Sequence, residues 1–372
     1  MKKTIVWLLV LLLCLPMMAS AEDVIKIGIF EPMTGSYAGG GEMEMEGISL
    51  ANELYPEVLG KKVELVVGDS KSDKVEASNA AASLVNSGVV AVLGSYSSGL
   101  SMSGADVFAE AGIPALTATS TNPMVTQDSD WYARICFIDP FQGTMLARYA
   151  VEQGFRKIAV VQEIESEYAV GLATYFEKEI ALHEGFEVVS KGNFVNTDQD
   201  FSTLLTEALS KEPDVIFSSV GYAPSAALII KQARELGFTG AIVGGDTLDA
   251  PELFEIAGAY VKGVIFTTFY DSAQPATEKT EEFLTAYRAK YGKEPAGPTI
   301  MAYDAYLTLL NAIETANSTD PVAIRDALFA TKDFVGAAGP ITLNETHDAV
   351  RPVVFKQMAE DGVSSFLAII EP

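Results

Sequence analysis

Residues 89–123 read VVAVLGSYSSGLSMSGADVFAEAGIPALTATSTNP. The pattern predicts an apolar strand at Val89–Leu93, a Gly/Ser loop at Gly94–Gly99 and a short helix to Ala111. A second strand, Ile113–Leu116, then runs into the hydroxyl series Thr117–Thr121. In an open α/β sheet, ligands lie beyond the carboxyl ends of the strands. Here two successive strand ends deliver small, hydroxyl-rich loops, each followed by a helix start with unpaired N–H groups. That combination suits a small anion such as a carboxylate. Ser and Thr also serve as ordinary helix caps; the repetition on consecutive units is what favours a binding site.

Outward from this stretch the chain alternates strand and helix. Before it come a strand at Ile25–Phe30, a loop with Pro32, Gly35 and Gly39–Gly41, and a helix over Glu42–Leu54. A strand at Lys62–Val67 follows, then a helix to Asn86 that Asp73 can cap. After it the winding begins again, with strands at Lys157–Val161, Phe186–Val189, Asp214–Val220, Ala241–Gly245 (ending at Asp246) and Gly263–Phe269. Helices at Ala169–His183, Asp200–Ser210, Pro224–Leu236 and Pro251–Ala257 separate them. Near-continuous Val/Ile/Leu strands between helices imply parallel sheets covered on both faces. The predicted fold is α/β, with two similar doubly wound lobes.

The remainder opens no third lobe. Helices are expected at Thr277–Tyr291, Thr299–Asn317 and Pro321–Ala330, the last with the Asp320-Pro321 start. A short strand at Ile341–Leu343 and a terminal hairpin, Pro352–Met358 with Ser364–Ile370, complete the chain. These helices lack a sheet of their own and are expected to return to the first lobe. Crossings then fall near Ile138–Gln142, Thr267–Asp271 and Asn344–Val350. One lobe would comprise residues 22–139 with 271–347, the other 140–270 with 348–372.

The first residues read as a secretion leader. Lys2 and Lys3 precede the apolar run Ile5–Leu15, and Ala19-Ser20-Ala21 supplies a small-x-small cleavage site after Ala21. Cleavage removes Cys14 and leaves Cys136 alone, so no internal disulfide is expected and Cys136 reads as a small buried hydrophobe. The 372 residues are 49% hydrophobic, enough for two domains, and carry a formal net charge of −25. So acidic a surface argues against nucleic acid and anionic membranes as partners.

The ordered pieces IKIGIFEPMTGSYAG, LGSYSSG, GIPALTATSTNP, QDFSTLLTEAL and IVGGDTLDAPEL resemble the type I periplasmic solute-binding proteins. The branch is that of the leucine/isoleucine/valine-binding proteins of ABC uptake systems, and the likeness covers essentially the whole mature chain. It implies two lobes on a multi-crossing hinge, closing over an amino acid. It sets Ser98, Thr119 and Thr121 against the ligand backbone, the first loops holding its carboxylate. Asp246, helped by Thr121, meets the ammonium, and Tyr168 and Tyr222 close from the second lobe. The implied ligand is a branched-chain or other aliphatic amino acid, the implied partner an ABC permease in the inner membrane. A periplasmic monomer without cofactor is expected. The chain departs from the family pattern at Ser97, where relatives carry a disulfide-bonded cysteine, and at Asp246, where Glu is frequent. Tyr37 lies near a missing first-lobe aromatic, and Ala169 stands where Gly is common.

A zwitterion needs an anion site and a cation site close together. Hydroxyls with helix N-termini furnish one, and a carboxylate at a strand end the other. An enzyme is the main rival class. Yet the chain has only His183 and His347, neither at metal-ligand spacing, and no G-x-S-x-G, phosphate-loop or dinucleotide fingerprint. No catalytic or metal-binding residue is expected. A ligand-sensing module serving a separate receptor is the second rival, because folds of this kind host both roles.

Overall fold

The computed structural model describes residues 24–127 and 129–372. The leader at 1–21 and its Cys14 lie outside them. Two large sheets and one two-stranded sheet are present among the described residues. The first orders its strands Glu57–Val58, Lys61–Asp69, Ile25–Glu31, Ala91–Gly94, Ala115–Thr117 and Tyr132–Arg134. The second runs Ser364–Ile370, Val353–Met358, Val264–Thr268, Ala241–Gly244, Val215–Ser219, Lys157–Glu163 and Glu187–Phe194. The centres of both sheets are parallel, with Ile27 against Leu65 and Ala91, and Ile242 against Ile216 and Val264. Their edges are not: Glu57–Val58 and the expected terminal hairpin pair antiparallel, so the sheets are mixed. Short turns permit this, whereas a parallel pairing needs a crossover.

Local chemistry fixes the helix starts that matter. Asp73 accepts the N–H groups of Val75 (2.8 Å) and Glu76 (2.9 Å) at the head of Lys74–Asn86. Ser166 Oγ accepts from Ala169 N at 3.2 Å, starting the helix Glu167–Ile180 that carries Tyr168. Asp320 caps Pro321–Phe329 through Ala323 N at 3.0 Å.

Two expectations need correction. The segment Ile138–Gln142, for which the sequence predicts no helix, leads into the helix Asp139–Glu152, with Pro140 in its first turn. It packs along Glu167–Ile180. The strand expected at Ile341–Leu343 lies earlier, at Gly339–Ile341, paired with an unforeseen strand, Phe334–Gly336.

The helix Gly297–Ala316 is buried over most of its circumference and lies against Ala38–Leu54 beside the first sheet. Tyr306 OH donates across that contact to Asn52 Oδ1 at 2.8 Å. The terminal hairpin returns to the second sheet. Near the return, fully buried Arg134 on the first sheet bonds Asp348 Oδ1 at 2.5 Å. Cys136 is buried, and burial pushes its thiol up. Among the described residues no helix is long and apolar enough to cross a membrane.

Candidate functional site

The loops at the carboxyl ends of the two sheets face each other and touch. Tyr37 OH donates to Glu163 Oε1 at 3.1 Å, Asn122 Nδ2 donates to the Glu167 carbonyl at 2.9 Å, and Lys74 pairs with Glu167. Between them lies a cavity of about 20 Å3 lined by Tyr96, Ser97, Ser98 and Thr119 on one side and Ser166, Tyr168, Gly221, Asp246 and Thr247 on the other. A second cavity, about 140 Å3, shares Tyr96 and Gly221 with it and adds Tyr37, Met43, Tyr222, Ala223, Pro224 and Glu252.

The first wall is built on the helix Ser98–Ala111. The Ser97 carbonyl takes the N–H groups of Leu100 (3.1 Å) and Ser101 (2.9 Å), leaving those of Ser98 and Gly99 as the unpaired donors of the helix start. Ser98 Oγ accepts from Asn122 N at 3.2 Å, tying this loop to the neighbouring one. Thr119 faces the cavity, its hydroxyl donating to Glu44 Oε1. Tyr96 lies over Gly40, where a Cβ would come within 2.3 Å of the ring.

The second wall centres on Asp246, 6% exposed, just past the strand Ala241–Gly244. Its Oδ1 accepts from Gln142 Nε2 at 2.6 Å and from Tyr168 OH at 2.7 Å. Gln142 is itself held by Thr267 Oγ1 at 2.8 Å. Gly245 makes room for this: a Cβ there would stand 2.1 Å from the Tyr168 hydroxyl. Burial pushes the Asp246 carboxyl up to about 6, against the pull of its two donors.

Four of the six residues expected from the sequence therefore line one cavity: Ser98, Thr119, Tyr168 and Asp246. Tyr222 belongs to the adjoining cavity, its ring 6.4 Å from that of Tyr37. Thr121 does not line the space. Its hydroxyl is buried without a hydrogen-bond partner, and its carbonyl accepts from Asp139 N at 2.9 Å. A straight extended run would turn Thr119 and Thr121 to the same side; the chain bends at Ala118–Thr119 just after the strand, and Thr119, not Thr121, faces the cleft.

Sequence reasoning missed Tyr96, Gln142, Glu31 and Glu44. Glu31 and Glu44 are at most 1% exposed; Glu31 Oε2 accepts from Tyr96 N at 2.9 Å, and burial pushes both carboxyls up, Glu44 to about 7. Burial likewise lifts Glu163 and the Tyr96 phenol, the latter further raised by Asp246, Glu252 and Glu44. The cleft is thus rich in carboxyl groups, and the Lys74 ammonium is already paired at its rim. Such a space attracts a cationic group while the hydroxyls and helix start opposite accept an anionic one. Among the described residues no group of His, Cys, Asp and Glu could hold a metal ion.

Residues 24–363 match the family model of the periplasmic binding proteins. A Leu/Ile/Val-binding protein homolog from Brucella abortus is 30% identical over 365 residues, covering 94% of each chain. The crystal structure of a leucine-binding protein from Thermotoga maritima superimposes with a TM-score of 0.90 at 42% identity, over 94% of this chain and 99% of that one. A branched-chain amino acid transporter substrate-binding protein from Streptococcus pneumoniae, crystallised with isoleucine, gives 0.88 at 31% identity, over 94% and 100%. These are binding proteins rather than enzymes. The chain belongs to the type I periplasmic binding proteins, in the Leu/Ile/Val-binding family of solute-binding components of ABC transporters.

Proposed function

We propose that this protein captures an aliphatic amino acid, of the branched-chain class, in the cleft between its lobes and delivers it to an inner-membrane ABC permease. The observation that carries the reading is the opposition of Asp246 to the Ser98 helix start and Thr119 across one cavity. A zwitterion spans those two walls, ammonium to the acid and carboxylate to the hydroxyls and N–H groups. The adjoining cavity, with Tyr37, Met43, Tyr96, Tyr222 and Ala223, suits an apolar side chain. The relative from Streptococcus pneumoniae, crystallised with isoleucine, supports the same class.

A space of about 20 Å3 is water-sized, so an amino acid is admitted only when the lobes part or Tyr96 swings aside. We take residues 22–139 with 271–347 as one lobe and 140–270 with 348–372 as the other, the crossings near Ile138–Gln142, Thr267–Asp271 and Asn344–Val350 serving as the hinge. Bridging of the two walls by ligand then stabilises the closed form. The leader at 1–21, cleaved after Ala21, sends a monomeric protein to the periplasm in this reading.

Calorimetry against leucine, isoleucine, valine, aromatic acids and sugars tests it. Binding of the branched-chain set is expected; response to sugars or uncharged amides alone overturns it.

A further inference from the structure

Two acidic side chains lie buried directly behind the wall that receives the ligand's carboxylate, an unfavourable place for negative charge. Glu31 ends the strand Ile25–Glu31, Glu44 sits in the helix Ala38–Leu54, and both are at most 1% exposed. Each has one oxygen engaged by the binding loops. Glu31 Oε2 takes Tyr96 N at 2.9 Å, and Glu44 Oε1 takes the Thr119 hydroxyl. Their other oxygens, Glu31 Oε1 and Glu44 Oε2, are buried with no partner. Two ionised carboxylates cannot satisfy each other, because both only accept; a proton held between them satisfies both.

Among the described residues no cation offsets the pair. The groups acting on it or acted on by it are Glu31 and Glu44 themselves, Thr119, Tyr96, Tyr132 of the sheet's edge strand and Cys136. Across the cleft, Asp246 and Glu252 act on Tyr96. The helix packed on Ala38–Leu54 directs its buried titratable groups elsewhere: Tyr306 to Asn52, Asp304 to the N–H groups of Ala337 and Ala338, and Tyr303 towards Tyr55. One negative charge on the pair is therefore balanced only by hydrogen bonds.

Thr119 has a single proton. Directed at an ionised Glu44, it is withheld from the cleft, and Thr119 presents only lone pairs there; the Tyr96 carbonyl, at 3.4 Å, is its distant alternative. When Glu44 is itself protonated, the bond reverses, Glu44 donating to Thr119 Oγ1, and the threonine proton is free for a ligand carboxylate. We propose that the buried Glu31–Glu44 pair decides whether Thr119 meets the ligand as a donor or only as an acceptor, making Glu44 a positioning residue for carboxylate recognition. The inference rests on the amino-acid reading of the cleft and adds a regulated specificity to it.

Calorimetric titration of leucine into the intact protein and its Glu44→Gln variant, from pH 6 to pH 8.5, tests this. The Gln amide donates to Thr119 at every pH, so the ratio of variant to wild-type affinity isolates the Glu44 contribution, because the Asp246 contribution is common to both. The ratio is expected near one at pH 6 and to rise to about tenfold at pH 8.5, one hydrogen bond to a charged group. A ratio constant with pH overturns the proposal, since a merely structural role shifts affinity equally throughout. Glu31→Gln keeps the test independent of the first variant's folding. Its amide stabilises ionised Glu44, so the alkaline loss of affinity should begin at lower pH, the opposite direction; an unmoved profile also overturns the proposal. Absence of leucine binding to the wild type, with another solute bound, would instead reject the amino-acid reading on which it rests.

Discussion

Tyr168 and Gln142 converge on the same oxygen of Asp246, Oδ1, at 2.7 and 2.6 Å, and among the described residues no side chain bonds Oδ2. One face of the carboxylate is thereby fixed in orientation by the protein, and the other is left towards the cavity. Pre-orientation of this kind costs nothing when the ligand arrives, which is why a buried acid makes a better ammonium receptor than an exposed one.

Replacing Asp246 with Asn keeps the shape and removes the charge. The ligand ammonium would then be buried without its counter-charge, and affinity for leucine is expected to fall by roughly 2–5 kcal/mol. Calorimetry at pH 7.5 reads this directly. An unchanged dissociation constant would remove Asp246 from the site.

Gly245→Ala tests whether the clamp depends on close approach. The added methyl would lie 2.1 Å from the Tyr168 hydroxyl and 3.3 Å from Gln142 Nε2. Overpacking of this sort costs about 1–3 kcal/mol, and both donors to Asp246 must shift. Weakened leucine binding and a lower urea midpoint are expected together. Retention of wild-type affinity would mean the two donors are dispensable.

Arg134 holds the loop that carries Thr119 and Thr121. Besides Asp348, its guanidinium donates to the carbonyls of Ser120 (2.8 Å) and Asn122 (2.7 Å) and to Thr126 Oγ1 (2.6 Å). Arg134→Met leaves Asp348 buried and uncompensated, so a loss of about 3–5 kcal/mol is expected in urea unfolding. The double change with Asp348→Asn should recover part of it. If the two losses simply add, the pair is not coupled.

The winding of both lobes, the caps at Asp73 and Asp320 and the terminal hairpin were legible because each rests on local pattern: alternating strand and helix periods, a capping residue, a Gly turn. The place of Asp246 at the end of an apolar strand follows from the same local pattern, whereas its role towards the ammonium rested on the family resemblance. Glu31 and Glu44 were not legible. A glutamate beside a Gly/Pro loop, or within the run GGGEMEMEG, reads as solvent-facing, and only the tertiary fold, which brings Tyr96 N to Glu31 and Thr119 to Glu44, encloses the pair. Gln142 was hidden similarly, since the helix Asp139–Glu152 buries Gln142 and Gly143 among Met145, Leu146 and Ala147 and so shows a weak apolar stripe. Thr121 was assigned with Thr119 through the family resemblance, and the hydroxyl run in the sequence does not show which way each hydroxyl turns.

Asp139 offers a test that does not involve ligand. It is fully buried, both carboxylate oxygens lack a hydrogen-bond partner, and burial pushes the group up to about 8. A carboxyl raised in the folded state binds its proton more tightly there than in the unfolded chain, where it titrates near 3.9. Its contribution to stability is therefore complete below about pH 4 and is lost as pH rises through 8. Unfolding free energy, measured in urea without ligand, is expected to decline between pH 5 and 9, with Asp139 accounting for on the order of 2–4 kcal/mol. Asp139→Asn cannot titrate, so its profile should be flatter than that of the wild type over the same range. Should the two profiles run parallel, Asp139 keeps an ordinary carboxylate in the folded protein. The decline would then belong to the other raised acids, Glu31, Glu44, Glu163, Asp246 and Asp304.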